Sequence, residues 1–243
     1  MQPLSAAQLL TVWEQGLAQT PAQWALALLA AACPDESADA LGQLGIGMRD
    51  GRLLTLREWT FGPQLACLVA CPQCGEKLDL AFTVANIRAL PVEATAEHTL
   101  TLGGYNIRFR LPNSLDATAV LRHQDTATNQ RLLFQRCLLA ASHDAAIVTA
   151  DALPAAVVEA VISQMAEADP QADTQLSLDC PTCGQHWLAP FDIVTFFWAE
   201  INTWAYRMLH EVHLLATAYG WREADVLALS PWRRQVYLEM ARP

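Results

Sequence analysis

Apolar residues recur at helical spacing through the first 33 positions. Leu9, Trp13 and Leu17 make one stripe; Trp24, Leu28 and Ala31 begin a second. Each stripe follows a start signal. Ser5-Ala6-Ala7-Gln8 fits a capping box, in which a hydroxyl and a carboxamide satisfy backbone N–H groups that have no partner inside the helix. Thr20-Pro21-Ala22-Gln23 fits another, with Pro at the first helical position, where its missing N–H costs nothing. Pro34 stops the second helix, so the pattern predicts a helical hairpin. Residues 34–62 are less regular and predict only a short helix around 52–59.

Between 63 and 111 the period changes to two. Leu78, Leu80 and Phe82 alternate with polar or small neighbours. Leu100-Thr101-Leu102 and residues 105–111 flank Gly103-Gly104, which supplies the positive φ angles of a tight hairpin, and Pro112 ends the strand. Residues 113–168 return to helical spacing. Leu132, Leu133, Arg136, Leu139 and Ala140 form one stretch and residues 155–165 another, with Pro154 near its start and Asp169-Pro170 after its end. A short β segment over 175–190 comes next.

The longest helix is predicted over 191–219. Ile193, Phe197, Ile201, Trp204, Met208, Val212 and Leu215 lie three or four residues apart, so they share one face that is expected to be inside the fold. Gly220 suits the end of that helix. A short helix follows, and Ser230-Pro231 opens a last one carrying Trp232, Val236 and Met240.

Composition narrows the function classes. The chain has 243 residues, 53% hydrophobic and 16% charged, enough for a substantial core and far from a disordered composition. Its net charge of −10 disfavours nucleic acid, which needs a basic face. The longest apolar run, 24–33, is about half of a membrane span, so no membrane partner is expected. The first residues lack the basic start and apolar stretch of a signal peptide, so a cytoplasmic location is expected.

Seven Cys in such a chain argue against a disulfide framework. Cys33, Cys67 and Cys137 lie in apolar stretches and read as core residues. The other four fall in two near-identical turns, CPQCG at 71–75 and CPTCG at 180–184. A Cys-x-x-Cys turn presents two thiolates to one ion, and the Gly after it lets the backbone aim N–H groups at sulfur. Two such turns between strand-like segments suggest a zinc ribbon with Cys71, Cys74, Cys180 and Cys183 as ligands, one zinc per chain. Four thiolates leave no open coordination position, so the ion would be structural. The ribbon is split by the long segment 75–179, which makes the ion a staple between distant parts of the chain. Two unrelated Cys pairs, or a thioredoxin-like redox motif, are the alternatives.

Other candidate chemistry is weak. His210-Glu211-Val212-His213 is one residue short of a zincin motif and reads as a solvated helix face. His186 could replace a Cys ligand, though four Cys suffice. No GxSxG, Walker loop or GxGxxG occurs, and no acid–base pair stands out, so neither an enzyme nor a small-molecule substrate is expected. Trp198, Trp204, Trp221 and Trp232 crowd the C-terminal region. Arg222, Arg233, Arg234 and Arg242 join Trp221, Trp232 and Tyr237 there. Arg and aromatic residues are enriched at interface centres, so 221–242 is a candidate partner surface, with Trp221, Trp232, Arg233, Arg234 and Tyr237 as contacts. The alternative is that Trp232, Val236 and Met240 dock as core on the long helix.

The order of these motifs resembles the T4-like phage baseplate protein family found in contractile injection gene clusters. The resemblance rests on LLTVWEQGLAQTPAQWALALLAAACP, MRDGRLLTLREWTFG, CPQCGEKLDL, IRFRLPNSLDATAV, CPTCGQHWLAPFDIVTFFWAEI and YGWREADVLALSPWRRQVYLEM. It implies a non-enzymatic role in baseplate assembly, with other baseplate or tail components of the particle as partners. The closing GWREADVLALSPWRR also resembles the end of tail assembly chaperones that protect a tape-measure protein. A chaperone, a thiol oxidoreductase and a zinc-ribbon nucleic-acid binder are the rival functions. The expected architecture is α+β, mostly α: a helical domain with a small split zinc-ribbon β module. One domain, 1–243, is expected to hold an N-terminal helical part (1–62), a ribbon module (63–111 and 174–190), a helical insert (113–168) and C-terminal helices (191–243).

Overall fold

The computed structural model describes residues 1–89, 97–120 and 125–241. Helices dominate, joined to small antiparallel sheets, so the chain is α+β and mostly α. The predicted hairpin is present as α1 (Ala6–Gly16) and α2 (Pro21–Ala32). Both carboxamides act as expected, Ser5 N–H donating to Gln8 Oε1 at 3.0 Å and Thr20 N–H to Gln23 Oε1 at 2.9 Å; the Ser5 hydroxyl accepts from Gln8 N–H at 3.3 Å, whereas the Thr20 hydroxyl donates to Gln23 Oε1 instead.

The next segment corrects the sequence reading. Instead of one short helix, residues 34–62 form α3 (Ala38–Gly42) and the 16-residue α4 (Ile46–Phe61). Gly47 and Gly51 weaken the helical signal locally, and no side-chain cap precedes α4. Its free N–H groups are met from far away in sequence: Ile46 N–H donates to the Pro112 carbonyl at 3.1 Å and Gly47 N–H to Asp169 Oδ2 at 2.9 Å. Burial of Leu53, Leu54 and Leu56 then holds the helix.

Two β-hairpins carry the Cys turns. One is β1 (Gln64–Ala70) with β2 (Lys77–Thr83), which runs into the single turn α5 (Val84–Ile87). The predicted 103–104 hairpin joins β3 (His98–Leu102) to β4 (Tyr105–Phe109). These two strands do not pair with the first hairpin. They form a four-stranded sheet, β3-β4-β5-β6, with strands from the segment expected to be helical. That segment holds α6 (Ser114–Val120), α7 (Thr126–Cys137), β5 (Leu138–His143), β6 (Ala146–Ile147) and α8 (Ala155–Ala168). Leu139 and Ala140, placed on a helix by spacing, lie on β5. The apolar run around them fits either element locally, and pairing with β4 decides for strand. This sheet and its helices enclose their own core of Ile107, Phe109, Phe134, Ala141, Leu153, Val157 and Val161.

The motif around Pro112 anchors this unit. Asp116 is buried and takes two hydrogen bonds from Arg110 and one from Arg136 at 2.9 Å. Asn113 and Asp116 also cap one another through their backbone N–H groups. Burial pushes the Asp116 carboxyl up, but Arg110, the Asn113 N–H and Arg136 together hold it below the usual carboxylate range.

The second Cys hairpin, β7 (Gln175–Asp179) with β8 (His186–Pro190), leads into α9 (Ile193–Tyr219). Asp192 caps α9 by accepting from Val194 and Thr195, and Gly220 ends it in the left-handed conformation, φ 66°. Ile193, Phe197, Ile201, Met208, Val212 and Leu215 are buried as predicted; Trp204 is half-buried, with Ala205 beside it in the core. The main core packs α1, α2, α4 and α9 together. Trp24 stacks on Trp198 at 4.6 Å, and Gly16 makes room, since a Cβ there would sit 2.1 Å from the Trp198 ring. Arg57 of α4, buried, binds Glu200 of α9 through two hydrogen bonds of 2.9 and 2.6 Å.

The chain closes with α10 (Glu223–Leu227) and α11 (Pro231–Met240). Here Val226 and Leu238 cover Val212 and Leu215 at the far end of α9. The inward face of α11 carries Arg234 and Leu238. Trp232 and Met240 point to solvent, 76% and 69% exposed, and Val236 is half-buried, so the alternative in which all three dock as core is not what the structure shows. No helix among the described residues is long and apolar enough to cross a membrane.

Candidate metal centre

Each Cys turn is built the same way. After β1, Cys71 N–H donates to the Glu76 carbonyl at 2.8 Å and Gly75 N–H to the Cys71 carbonyl at 2.9 Å. After β7, Cys180 N–H donates to the Gln185 carbonyl and Gly184 N–H to the Cys180 carbonyl, both at 2.9 Å. Gly75 and Gly184 have φ of 76° and 72°, and a Cβ at either would meet nothing within 4 Å. Backbone conformation therefore selects glycine at both.

The turns meet. The four sulfurs of Cys71, Cys74, Cys180 and Cys183 all lie within 4.8 Å of one another. Close sulfur contacts run between the turns: Cys71 to Cys183 at 3.7 Å and Cys74 to Cys180 at 3.6 Å. Exchanging the turns maps one contact onto the other, so the pair has an approximate two-fold relation. Two independent Cys pairs would not converge in this way. Tetrahedral thiolate coordination with bonds of about 2.3 Å has sulfur–sulfur edges of about 3.8 Å, close to these contacts. Cys71 and Cys180 are buried, whereas Cys74 and Cys183 reach the surface. The cluster can hold a metal ion.

Electrostatics favour a cation there. Cys180 is lowered to about 7, first by the Cys183 N–H and then, against burial, by the Thr182 N–H and neighbouring sulfurs. Cys74 receives the Glu76 N–H, which lowers it, yet burial and the other three sulfurs win and push it up to about 12. Cys183 is also raised: the Gln185 N–H and the Cys74 sulfur lower it, but burial and the sulfurs of Cys180 and Cys71 outweigh them. The thiols resist ionising together, and a bound cation removes that repulsion.

The remaining candidates fall elsewhere. His186 is exposed on β8 and bonds Asp179 at 3.0 Å, outside the sulfur cluster. His210 and His213 are exposed on α9, while Glu211 between them accepts from Arg234 at 2.6 Å. Cys33 and Cys137 are buried and Cys67 is half-buried. Of the candidate partner contacts, Trp232 and Arg233 are exposed. Arg234 is buried against Glu211, and Trp221 packs edge-on to Tyr237 at 4.8 Å. Arg242 lies outside the described residues.

Sequence reading passed over Arg49 and Asp50. They share the three-and-four spacing of Leu53, Leu54 and Arg57, which puts charges on the buried face of α4, and that was the available signal.

Residues 7–198 match the family described as T4 bacteriophage base plate protein. The match covers most of the chain and takes in both Cys turns, the 110–116 motif and the first part of α9. The protein therefore belongs to this family. No curated protein and no solved structure matches it.

Proposed function

We propose that this protein is a non-enzymatic structural component of the baseplate of a phage-tail-like contractile injection particle, stapled by one structural zinc ion on Cys71, Cys74, Cys180 and Cys183. The family match over residues 7–198 carries the reading. The sulfur cluster supports zinc, because four thiolates at these separations suit a closed tetrahedral site for a borderline-soft ion. Bound there, zinc ties the hairpin that follows α4 to the hairpin that precedes α9, closing the chain over the insert as one domain.

Its partners are other baseplate or tail components, reached in the cytoplasm of the producing cell during assembly. Trp221, Trp232, Arg233, Arg234 and Tyr237 are the contacts proposed on the C-terminal helices. Exposed Trp232 and Arg233 are free to touch a partner directly, and Arg234 with Tyr237 sets the angle at which α11 presents them. Mass spectrometry of purified particles tests the reading. A fixed number of copies per particle is expected. Presence in partial assemblies and absence from finished particles would favour a chaperone that leaves.

A further inference from the structure

A cleft of about 200 Å³ opens between the start of α4, residues 171–174 and the junction of β8 with α9. Its lining includes Arg49, only 7% exposed. Arg49 Nε donates to Asp50 Oδ1 at 2.7 Å, and neither Nη has a partner among the described residues. The carboxylates nearby are committed elsewhere. Asp169 caps α4 through Gly47, and Asp192 caps α9 through Val194 and Thr195. Asp173 accepts from Gln175. Ile46, Leu54, Phe191 and Ile193 make apolar walls, and Asp173 and Asp192 form an exposed acidic rim.

The Arg49 Nη groups keep contact with the solvent of the cleft and stand there as donors open to an acceptor. The described residues offer none. A simple anion is a poor occupant, because Asp50 already balances Arg49 and the rim is negative. Burial pushes the Asp50 carboxyl up despite Arg49, and Asp192 and Asp169 add to the push, which reflects that negative surround. An uncharged carbonyl oxygen flanked by cations suits both floor and rim, and a chain of net charge −10 favours a basic partner.

We propose that this cleft docks a cationic polypeptide segment of a neighbouring particle component. The segment sets an amide or main-chain carbonyl oxygen on the Arg49 Nη groups and places Lys or Arg beside Asp173 and Asp192. The proposal rests on the baseplate reading.

Two variants test it. Asp173→Arg reverses charge at an exposed rim position. Arg49→Met with Asp50→Asn removes the buried donors without leaving an unpaired charge. Each full-length variant is compared with wild type for melting temperature, metal content and copies per particle by quantitative mass spectrometry. Unchanged melting and metal with at least a tenfold loss of copies in particles is expected. Wild-type incorporation of either folded variant overturns the proposal. If the double variant fails to fold, Asp173→Arg decides alone. Absence of the wild-type protein from both particles and partial assemblies overturns the baseplate reading, and this site with it.

Discussion

Replacing Gly47 by Ala sets local propensity against tertiary geometry. Helix propensity alone predicts a gain of at most about 1 kcal/mol, the Gly-to-Ala difference in a helix interior, since Gly47 is the second residue of α4. The structure predicts the opposite sign. A Cβ on Gly47 would sit 1.7 Å from Asp169 Oδ1, 2.6 Å from its Cγ and 3.0 Å from the Ala172 nitrogen. No side chain tolerates the first two contacts, so Asp169 must withdraw and its 2.9 Å bond to Gly47 N–H is lost. A side-chain cap contributes about 1 kcal/mol, rising to about 2 for a charged group in a partly buried setting. Displacing the turn at 170–172 adds to that loss. We expect Gly47→Ala to destabilise by about 1–3 kcal/mol after the propensity gain is counted. Urea unfolding reads this as a lower midpoint at unchanged slope. Asp169→Ala should cost about 1–2 kcal/mol through loss of the same cap. In the Asp169→Ala background the clash is gone, so Gly47→Ala should cost at least about 1 kcal/mol less than it does alone. A Gly47→Ala protein as stable as wild type, or strict additivity in the double variant, would refute the reasoning.

Metal analysis of the purified protein should give one zinc per chain. Cys180→Ser should lose it and melt more than about 10 °C lower, because structural zinc contributes many kcal/mol and 1 kcal/mol shifts a chain of this size by about 2–4 °C; an unchanged melting temperature would count against the shared site. Asp116→Asn should cost about 2 kcal/mol at pH 7, since the partly exposed Arg110 and Arg136 lose a buried partner. The folded carboxyl of Asp116 titrates below its ordinary value of 3.8, so its stabilisation is complete above that value and is lost as pH falls through the folded one. The Asn variant should therefore show shallower acid destabilisation below about pH 4, and a parallel acid profile would sink this assignment. Trp232→Ala with Met240→Ser should leave stability within about 0.5 kcal/mol of wild type, as both side chains are exposed, yet reduce recruitment to assembling baseplates. Normal recruitment would remove α11 from the partner surface. Deleting 221–243 is the poorer test, because it strips Val226 and Leu238 from Val212 and Leu215.

The sequence by itself determined whatever is written in local spacing. The α1–α2 hairpin follows from two capping boxes and Pro34, and the long face of α9 from its three-and-four repeat. The turn at Gly103-Gly104 and the end of α9 at Gly220 follow from residues that tolerate positive φ, and these glycines adopt it, as do Gly75 and Gly184 in the Cys turns. The four Cys were legible because metal-binding turns have fixed spacing and a fixed glycine. Their convergence could be expected from the near-identity of the two turns.

Only the tertiary structure decided features whose partners lie far apart in sequence. α4 starts where it does because Pro112 and Asp169 satisfy its first N–H groups, and no local window contains them. Residues 138–143 could serve as helix or strand, and the open edge of β4 chose strand. The same choice placed β3 and β4 in the sheet of the insert and left each Cys hairpin two-stranded. On α11 the stripe of Trp232, Val236 and Met240 allowed either a partner surface or a core face, and the buried positions are Arg234 and Leu238 instead. Glu211 on α9 pairs with Arg234 at 2.6 Å, and Leu238 joins Val212, Leu215 and Val226, so this face of α11 lies inward while Trp232 and Met240 face outward. The ion pair joins residues 23 positions apart, and such a pairing exists only once the two helices are packed.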